Sequence, residues 1–236
     1  MKYVYVILIV IPLASAEIEI PNIVNQESFV NINNLVDRFI PEISQFIIKN
    51  NLDPLTLPST QIKLWNTLAH RNILNQSQPM IYKADLVLHS GILTYLSNLK
   101  RYGDALLNYE DKALKLNVSF EFELLKGSYN YIVKLVFFNL DGRILAAAEN
   151  VRVKINISFD AINSILSLDD FELQIPGDIK ITIENKNGLV EWLNTALINL
   201  ATPFIKNTLT NVVQQEASNA IRTSLDKINH VISQSD

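Results

Sequence analysis

The sequence predicts an α+β fold: a strongly curved antiparallel β-sheet meander wrapped around a long C-terminal helix, with an N-terminal amphipathic helix. Three observations carry that expectation. Apolar residues recur at helical spacing towards both ends of the chain, and at period two through its middle. Glycine and proline punctuate the period-two runs as turns would. The 236 residues contain no cysteine and are 48% hydrophobic, so the fold must rest on a large core without disulfides.

The first element is a leader. One cation, Lys2, precedes an apolar run from Val4 to Ala14, which ends in Ala14-Ser15-Ala16. That layout is a secretory signal peptide cleaved before Glu17, and it is shorter than the roughly 20 apolar residues that cross a bilayer. Residues 1–16 are therefore read as the signal peptide and 17–236 as a single domain, secreted and extracellular. Three sequons fit this address, at Asn75, Asn117 and Asn156.

Between Ser28 and Asn50, the residues Phe29, Ile32, Val36, Phe39, Ile40, Ile43 and Ile47 fall on one face of an amphipathic helix. Pro41 lies inside it, where a kink or break is expected. Asp53-Pro54 and Leu57-Pro58 then mark an extended connector.

The middle of the chain alternates. Leu114, Leu116, Val118, Phe120, Phe122 and Leu124 interleave with Lys115, Asn117, Ser119, Glu121 and Glu123. Val151, Val153, Ile155, Ile157 and Phe159 interleave with Arg152, Lys154, Asn156 and Ser158. Such runs are half-buried strands with one wet face, and Asn117 and Asn156 stand on that wet face. Lys126-Gly127 and Asp141-Gly142 are placed as hairpin turns. Shorter alternations at 84–88, 171–175 and 179–183 complete an antiparallel meander. A strand over 113–125 would be roughly 40 Å long, about twice the usual length.

After Asn187-Gly188 the helical period returns through Leu189, Trp192, Leu193, Ala196, Leu197 and Leu200, with a break or kink expected at Pro203. Ile205, Leu209, Val212, Val213, Ala217, Ala220, Ile221, Leu225, Ile228 and Ile232 continue the stripe, over roughly 45 Å from Pro203. A wide antiparallel sheet twists, and so can curl its apolar face round such a helix.

The chemistry-bearing residues point away from catalysis. His70, His89 and His230 are the three histidines, and none has a partner at metal-ligand spacing. No nucleophile elbow, P-loop, dinucleotide fingerprint or zinc-protease motif occurs. Glu121 and Glu123 share the face that carries a sequon, which reads as solvated exterior. Asp169-Asp170 lacks the rest of a calcium loop and reads as a turn. A net charge of −4 argues against nucleic acid as a partner. No enzyme activity, cofactor or metal is expected, and no later segment is apolar and long enough to make an integral membrane protein.

Two stretches, Asn51-Leu52-Asp53-Pro54-Leu55-Thr56-Leu57-Pro58 and Leu99-Lys100-Arg101-Tyr102-Gly103-Asp104-Ala105, together with the order helix, meander, long helix, give the chain a resemblance. It resembles the group 7 mite allergens of arthropods, within the tubular lipid-binding class that includes juvenile-hormone-binding, takeout-like and bactericidal-permeability-increasing-like proteins. The N-terminal cysteine pair usual in takeout-like members is missing, which favours the group 7 likeness. The resemblance implies an apolar ligand held between helix and curved sheet.

The leading functional expectation is thus a secreted, non-enzymatic binding protein for a lipid or other hydrophobic small molecule. Its candidate lining residues are Leu116, Val118, Phe120, Phe122, Val153, Ile155, Ile157 and Trp192. Each could equally fill a closed core, because pockets and cores share composition. One alternative is innate-immune recognition of a microbial lipid or glycolipid, for which Lys100-Arg101 is the one adjacent basic pair. Another is a structural or partner-binding protein with a closed core, whose striped helices pack on a second chain.

Overall fold

The computed structural model describes residues 29–63, 84–135, 139–185 and 191–234, with backbone alone at 185, 191 and 192. The expected leader, the sequon at Asn75, His70 and the turn at Asn187-Gly188 lie outside the described residues.

Two helices and ten strands are described. Helix α1 spans Asn33–Lys49 and α2 spans Glu191–Ser233. The strands are β1 (Val30–Asn31), β2 (Leu55–Leu57), β3 (Thr60–Lys63), β4 (Asp85–Thr94), β5 (Leu99–Arg101), β6 (Leu106–Glu110), β7 (Ala113–Lys134), β8 (Asn139–Asp160), β9 (Ile165–Gln174) and β10 (Lys180–Asn185). The first helix starts later than its apolar stripe suggested, because Val30 and Asn31 pair with Leu107 and Leu106 instead. Neither proline breaks its helix: Pro41 lies within α1 and Pro203 within α2. At 43 residues, α2 is roughly 65 Å long. A proline costs its helix one backbone bond, and buried neighbours on both sides of Pro203, Ala201 and Ile205, hold that stretch in place.

The two turns placed at Lys126-Gly127 and Asp141-Gly142 are not turns. β7 and β8 are each 22 residues long and run through both glycines, so their hairpin connection falls between Lys134 and Asn139. Neither glycine has a positive φ. Gly142 is needed for close approach instead, since a Cβ there would stand 2.3 Å from the Glu184 carbonyl oxygen and 2.7 Å from the Tyr131 hydroxyl.

This paired hairpin is the spine of one antiparallel sheet. The meander continues from β8 into β9, and the flanks are filled by strands from elsewhere in the chain. The first half of β7 is edged by β6 and β5, its second half by β4. The first half of β8 is edged by β10, its second half by β9. The sheet's apolar face is concave and curls round α2.

Halfway along the spine the inward face changes parity. In β7 the buried positions with apolar or aromatic side chains are Leu116, Val118, Phe120 and Phe122, then Leu125, Tyr129, Tyr131 and Val133. In β8 they are Ile144, Ala146 and Ala148, then Val151 and Val153. The switch falls at Glu123-Leu124 on one strand and Glu149-Asn150 on the other, which face each other in unbroken register. Asn150 takes a left-handed φ of 54°, a conformation asparagine tolerates better than most residues. Leu124, expected to point inward, is therefore half-buried, and Leu125 takes the inward place at 2% exposure. The sheet is divided here into two halves that share a strand pair and differ in what lies against them.

Candidate ligand-binding cavity

The half beyond the switch towards Ala113 and Asp160 contains a cavity. Its volume is about 170 Å³, and it opens to solvent at one side. Its floor is the sheet, with Leu116, Val118, Phe120 and Phe122 from β7, Val153, Ile155 and Ile157 from β8, and Phe171 from β9. These side chains converge because period-two alternation puts every second residue of paired strands on the same face. One wall is α2, through Val213, Ala217, Ile221 and Ser224, and the cover is the apolar face of α1 from Leu35 to Ile47. Only Val36 of that helix is fully buried. Leu35, Ile40, Ile43 and Ile47 are half-buried and pack against the edge of the core, and all of these but Ile40 also line the cavity.

Seven of the eight candidate lining residues thus meet at one cavity. The eighth, Trp192, stands in the first turn of α2, and its side chain is outside the described atoms. Along the helix it is roughly 30 Å from Val213, where the cavity wall begins. Sequence reasoning missed the contributions of α1, Phe171 and the middle of α2, although the amphipathic stripe of α1 was a usable signal. It also missed Glu42, which lines the cavity and whose Oε2 atom is buried and accepts no hydrogen bond among the described residues.

The cover is held by polar clips at its rim. Asp37 and Arg101 form a two-point ion pair, with Nε to Oδ1 at 2.8 Å and Nη2 to Oδ2 at 3.0 Å. The Arg101 hydrogen bond holds the Asp37 carboxyl below its ordinary range, against a smaller opposing effect of burial. Asn33 receives the backbone N–H of Ala105 at 2.8 Å and donates to Asp104 at 2.8 Å. A second donor, Asn31, reaches the same carboxylate at 3.1 Å, and the two bonds lower the Asp104 pKa. After the helix, Asp53 accepts from the backbone of Tyr95 and Ser97 and from the Ser97 hydroxyl, at 3.1, 2.9 and 2.5 Å. Both stretches that carry the family resemblance are therefore the fasteners of α1.

The remaining candidates fall elsewhere. Asn117 is exposed on the outer face of β7, whereas its neighbour across the ladder, Asn156, is half-buried with its Oδ1 buried and unpartnered among the described residues. Glu121, expected on the solvated exterior, is instead buried outside the cavity, covered by Lys100 at 3.4 Å and Arg152 at 3.2 Å, whereas Glu123 is exposed and pairs with Lys100 at 2.7 Å. The basic pair Lys100-Arg101 is thus occupied on both members. Asp169 and Asp170 lie in β9, not in a turn: Asp169 is the extra residue of a bulge and accepts from the Ser158 hydroxyl at 2.8 Å. His89 borders a separate polar groove with Asp141, Arg143 and Glu184, and His230 lies near the end of α2 beside Gln234. Among the described residues no group of His, Asp and Glu could hold a metal ion, and no helix is long and apolar enough to cross a membrane.

A curved sheet rolled round a long helix, with a second helix closing an apolar hollow, is the tubular lipid-binding architecture. The solved structure of a lipopolysaccharide binding protein superimposes with a TM-score of 0.53 at 16% identity, over 85% of this chain. This chain spans only 40% of that protein's length. Takeout 1 of Epiphyas postvittana matches over 86% of this chain and 93% of its own, with a TM-score of 0.45 and 12% identity. No curated protein matches the sequence. The family model for the group 7 allergens matches residues 31–225, and the chain belongs to that family.

Proposed function

We propose that this protein binds a hydrophobic small molecule or lipid, without chemical conversion, in the cavity between α1, α2 and the β7–β9 face. The observation that carries this reading is the cavity itself: a hollow walled almost wholly by hydrocarbon, in a chain whose other half is closely packed. Empty apolar space forfeits dispersion contacts on every wall, and an apolar ligand restores them, gaining roughly 0.8 kcal/mol per buried methylene. Leu116, Val118, Phe120, Phe122, Val153, Ile155 and Ile157 form the ligand's bed, and the fold shared with a lipopolysaccharide binding protein agrees with such a role. The paired state of Lys100 and Arg101 favours a small lipid over recognition of phosphate-rich microbial glycolipid. The apolar N-terminal run and the sequons support a secretory route, and Asn117, exposed on β7, is the glycan acceptor this reading favours.

The test is extraction of the protein secreted by eukaryotic cells, with mass spectrometry of the organic phase, followed by titration of the stripped protein with N-phenyl-1-naphthylamine. A stoichiometric extracted lipid, or saturable probe fluorescence lost in Ala217→Phe, is the expected result. An empty extract together with no saturable fluorescence would overturn the reading.

A further inference from the structure

Resting on that reading of the cavity, we infer that its ligand carries a hydrogen-bond donor, a hydroxyl or an ammonium, which meets Glu42, and that carboxylate-headed lipids are discriminated against. The wall has two polar side chains, Glu42 and Ser224. The Ser224 hydroxyl already donates to the Ala220 carbonyl at 2.8 Å, one turn back along α2. Glu42 differs: it lines the cavity with Phe39, Ile43 and Phe46 of its own helix, and its Oε2 is buried and unpartnered among the described residues. A solvated glutamate on the outer face of α1 would give such an atom water. Enclosed beside a hydrocarbon cavity, it is an acceptor awaiting a donor.

The orphaned oxygen is an acceptor, so its partner must donate. Low polarity in the surrounding walls strengthens such a bond once made. It also makes facing acceptors costly, so a fatty-acid anion, which donates nothing, would set acceptor against acceptor. The head-group preference is then written by one side chain, and the affinity by the apolar bed.

The experiment uses the stripped full-length protein with N-phenyl-1-naphthylamine bound, and displaces that probe with dodecanol, dodecylamine and dodecanoate, which share a chain and differ in head. Expected is at least about tenfold stronger displacement by a donor-headed ligand than by dodecanoate, the scale of one hydrogen bond to a charged group. Glu42→Leu should abolish the difference while the probe still binds. Glu42→Gln keeps an acceptor without the charge: it should spare dodecanol if the natural head is a hydroxyl, and weaken dodecylamine selectively if it is an ammonium. Dodecanoate displacing as well as the other two, or a preference unchanged in Glu42→Leu, would overturn the assignment and leave the cavity's role as a ligand site intact. Failure of the probe and all three ligands to bind the wild-type protein would overturn both.

Discussion

The two halves of the sheet are built from the same two strands and end in opposite states. On the side of the hairpin connection, Leu86, Leu88, Leu93, Val133 and Ile144 are all 0% exposed, and the Tyr129 ring meets Phe204 of α2 edge-on with centroids 5.9 Å apart. On the far side, Leu116, Val118, Phe120, Phe122 and Val153 keep 4–7% exposure, because they face the cavity. The strands contribute similar residues to each. What differs is the third layer. Helix α2 brings Leu193, Leu197, Ile205 and Leu209 to the filled half, then Val213, Ala217, Ile221 and Ser224 to the hollow one. Smaller side chains leave the middle empty, and α1 spans the gap as a cover and not as a plug.

The sharpest way to break the contrast is one truncation made twice. Leu88→Ala removes a fully enclosed side chain and should cost about 3–5 kcal/mol, transfer and cavity costs together. Leu116→Ala removes a chain that already borders empty space, so only part of the transfer cost remains, about 1–2 kcal/mol. Urea unfolding of both variants measures the difference; equal losses would mean that the two halves are packed alike.

A second contrast uses alkali. Burial pushes the Tyr129 hydroxyl up to about 12, where it donates to the Pro58 carbonyl at 3.1 Å. The raised folded value means that the contribution is whole below pH 10, the ordinary phenol value, and is lost as pH rises towards 12. Stability should therefore fall by up to about 3 kcal/mol across that interval, and Tyr129→Phe should flatten the fall. Denaturant titrations from pH 9 to about 11.5 give the slope. A wild-type curve parallel to that of Tyr129→Phe would show that the filled half is open to water at this point.

Filling is the converse of truncation. Ala217→Phe projects a ring into the cavity and should leave stability within about 1 kcal/mol of wild type while abolishing probe binding. Ala201→Phe, on the same helix at 0% exposure, should cost about 1–3 kcal/mol or more through overpacking. Thermal melts with parallel fluorescence titrations separate the two effects. A destabilised Ala217→Phe would mean that the hollow closes in solution.

Much of this was legible in the sequence, for identifiable reasons. Alternation over 114–122 and 151–159 places every inward residue correctly, because period two admits only two assignments and charge selects one. It goes wrong at Leu124. There Glu123-Leu124 on one strand and the polar pair Glu149-Asn150 facing it on the other mark the parity switch, a signal that exists only when the two strands are read against each other. The glycines misled for a related reason. Gly142 is small so that Glu184 and Tyr131 can come near, and a close approach between distant segments leaves no local trace. Whether the inward residues line a void or fill a core was not legible at all. That depends on the volume α2 delivers opposite them, and the register of helix on sheet is absent from either pattern. Glu42 was invisible because a single acidic residue on a helical stripe looks like an imperfection of the stripe.

The smallest effect concerns the cover. Removing the Asp37–Arg101 pair by Arg101→Ala should cost only about 0.5–1 kcal/mol, since both groups are partly exposed, yet its consequences should be confined to α1. Amide exchange should quicken over 33–49 and remain unchanged in β4 and the second half of β7, because those segments are fastened by burial and not by the clip. Acid should reproduce the variant in the wild-type protein. The Asp37 carboxyl is lowered from its ordinary 3.8, so its contribution is present above that value and disappears as pH falls through the lower, folded one. Asp104, lowered by Asn33 and Asn31, titrates in the same direction and adds to the release. Probe affinity should hold steady from neutrality down to about pH 5 and drop below pH 4, with Arg101→Ala weaker throughout and less dependent on acid. Quickened exchange spread equally through both halves in Arg101→Ala would show that α1 is integral to the core and not a separable cover.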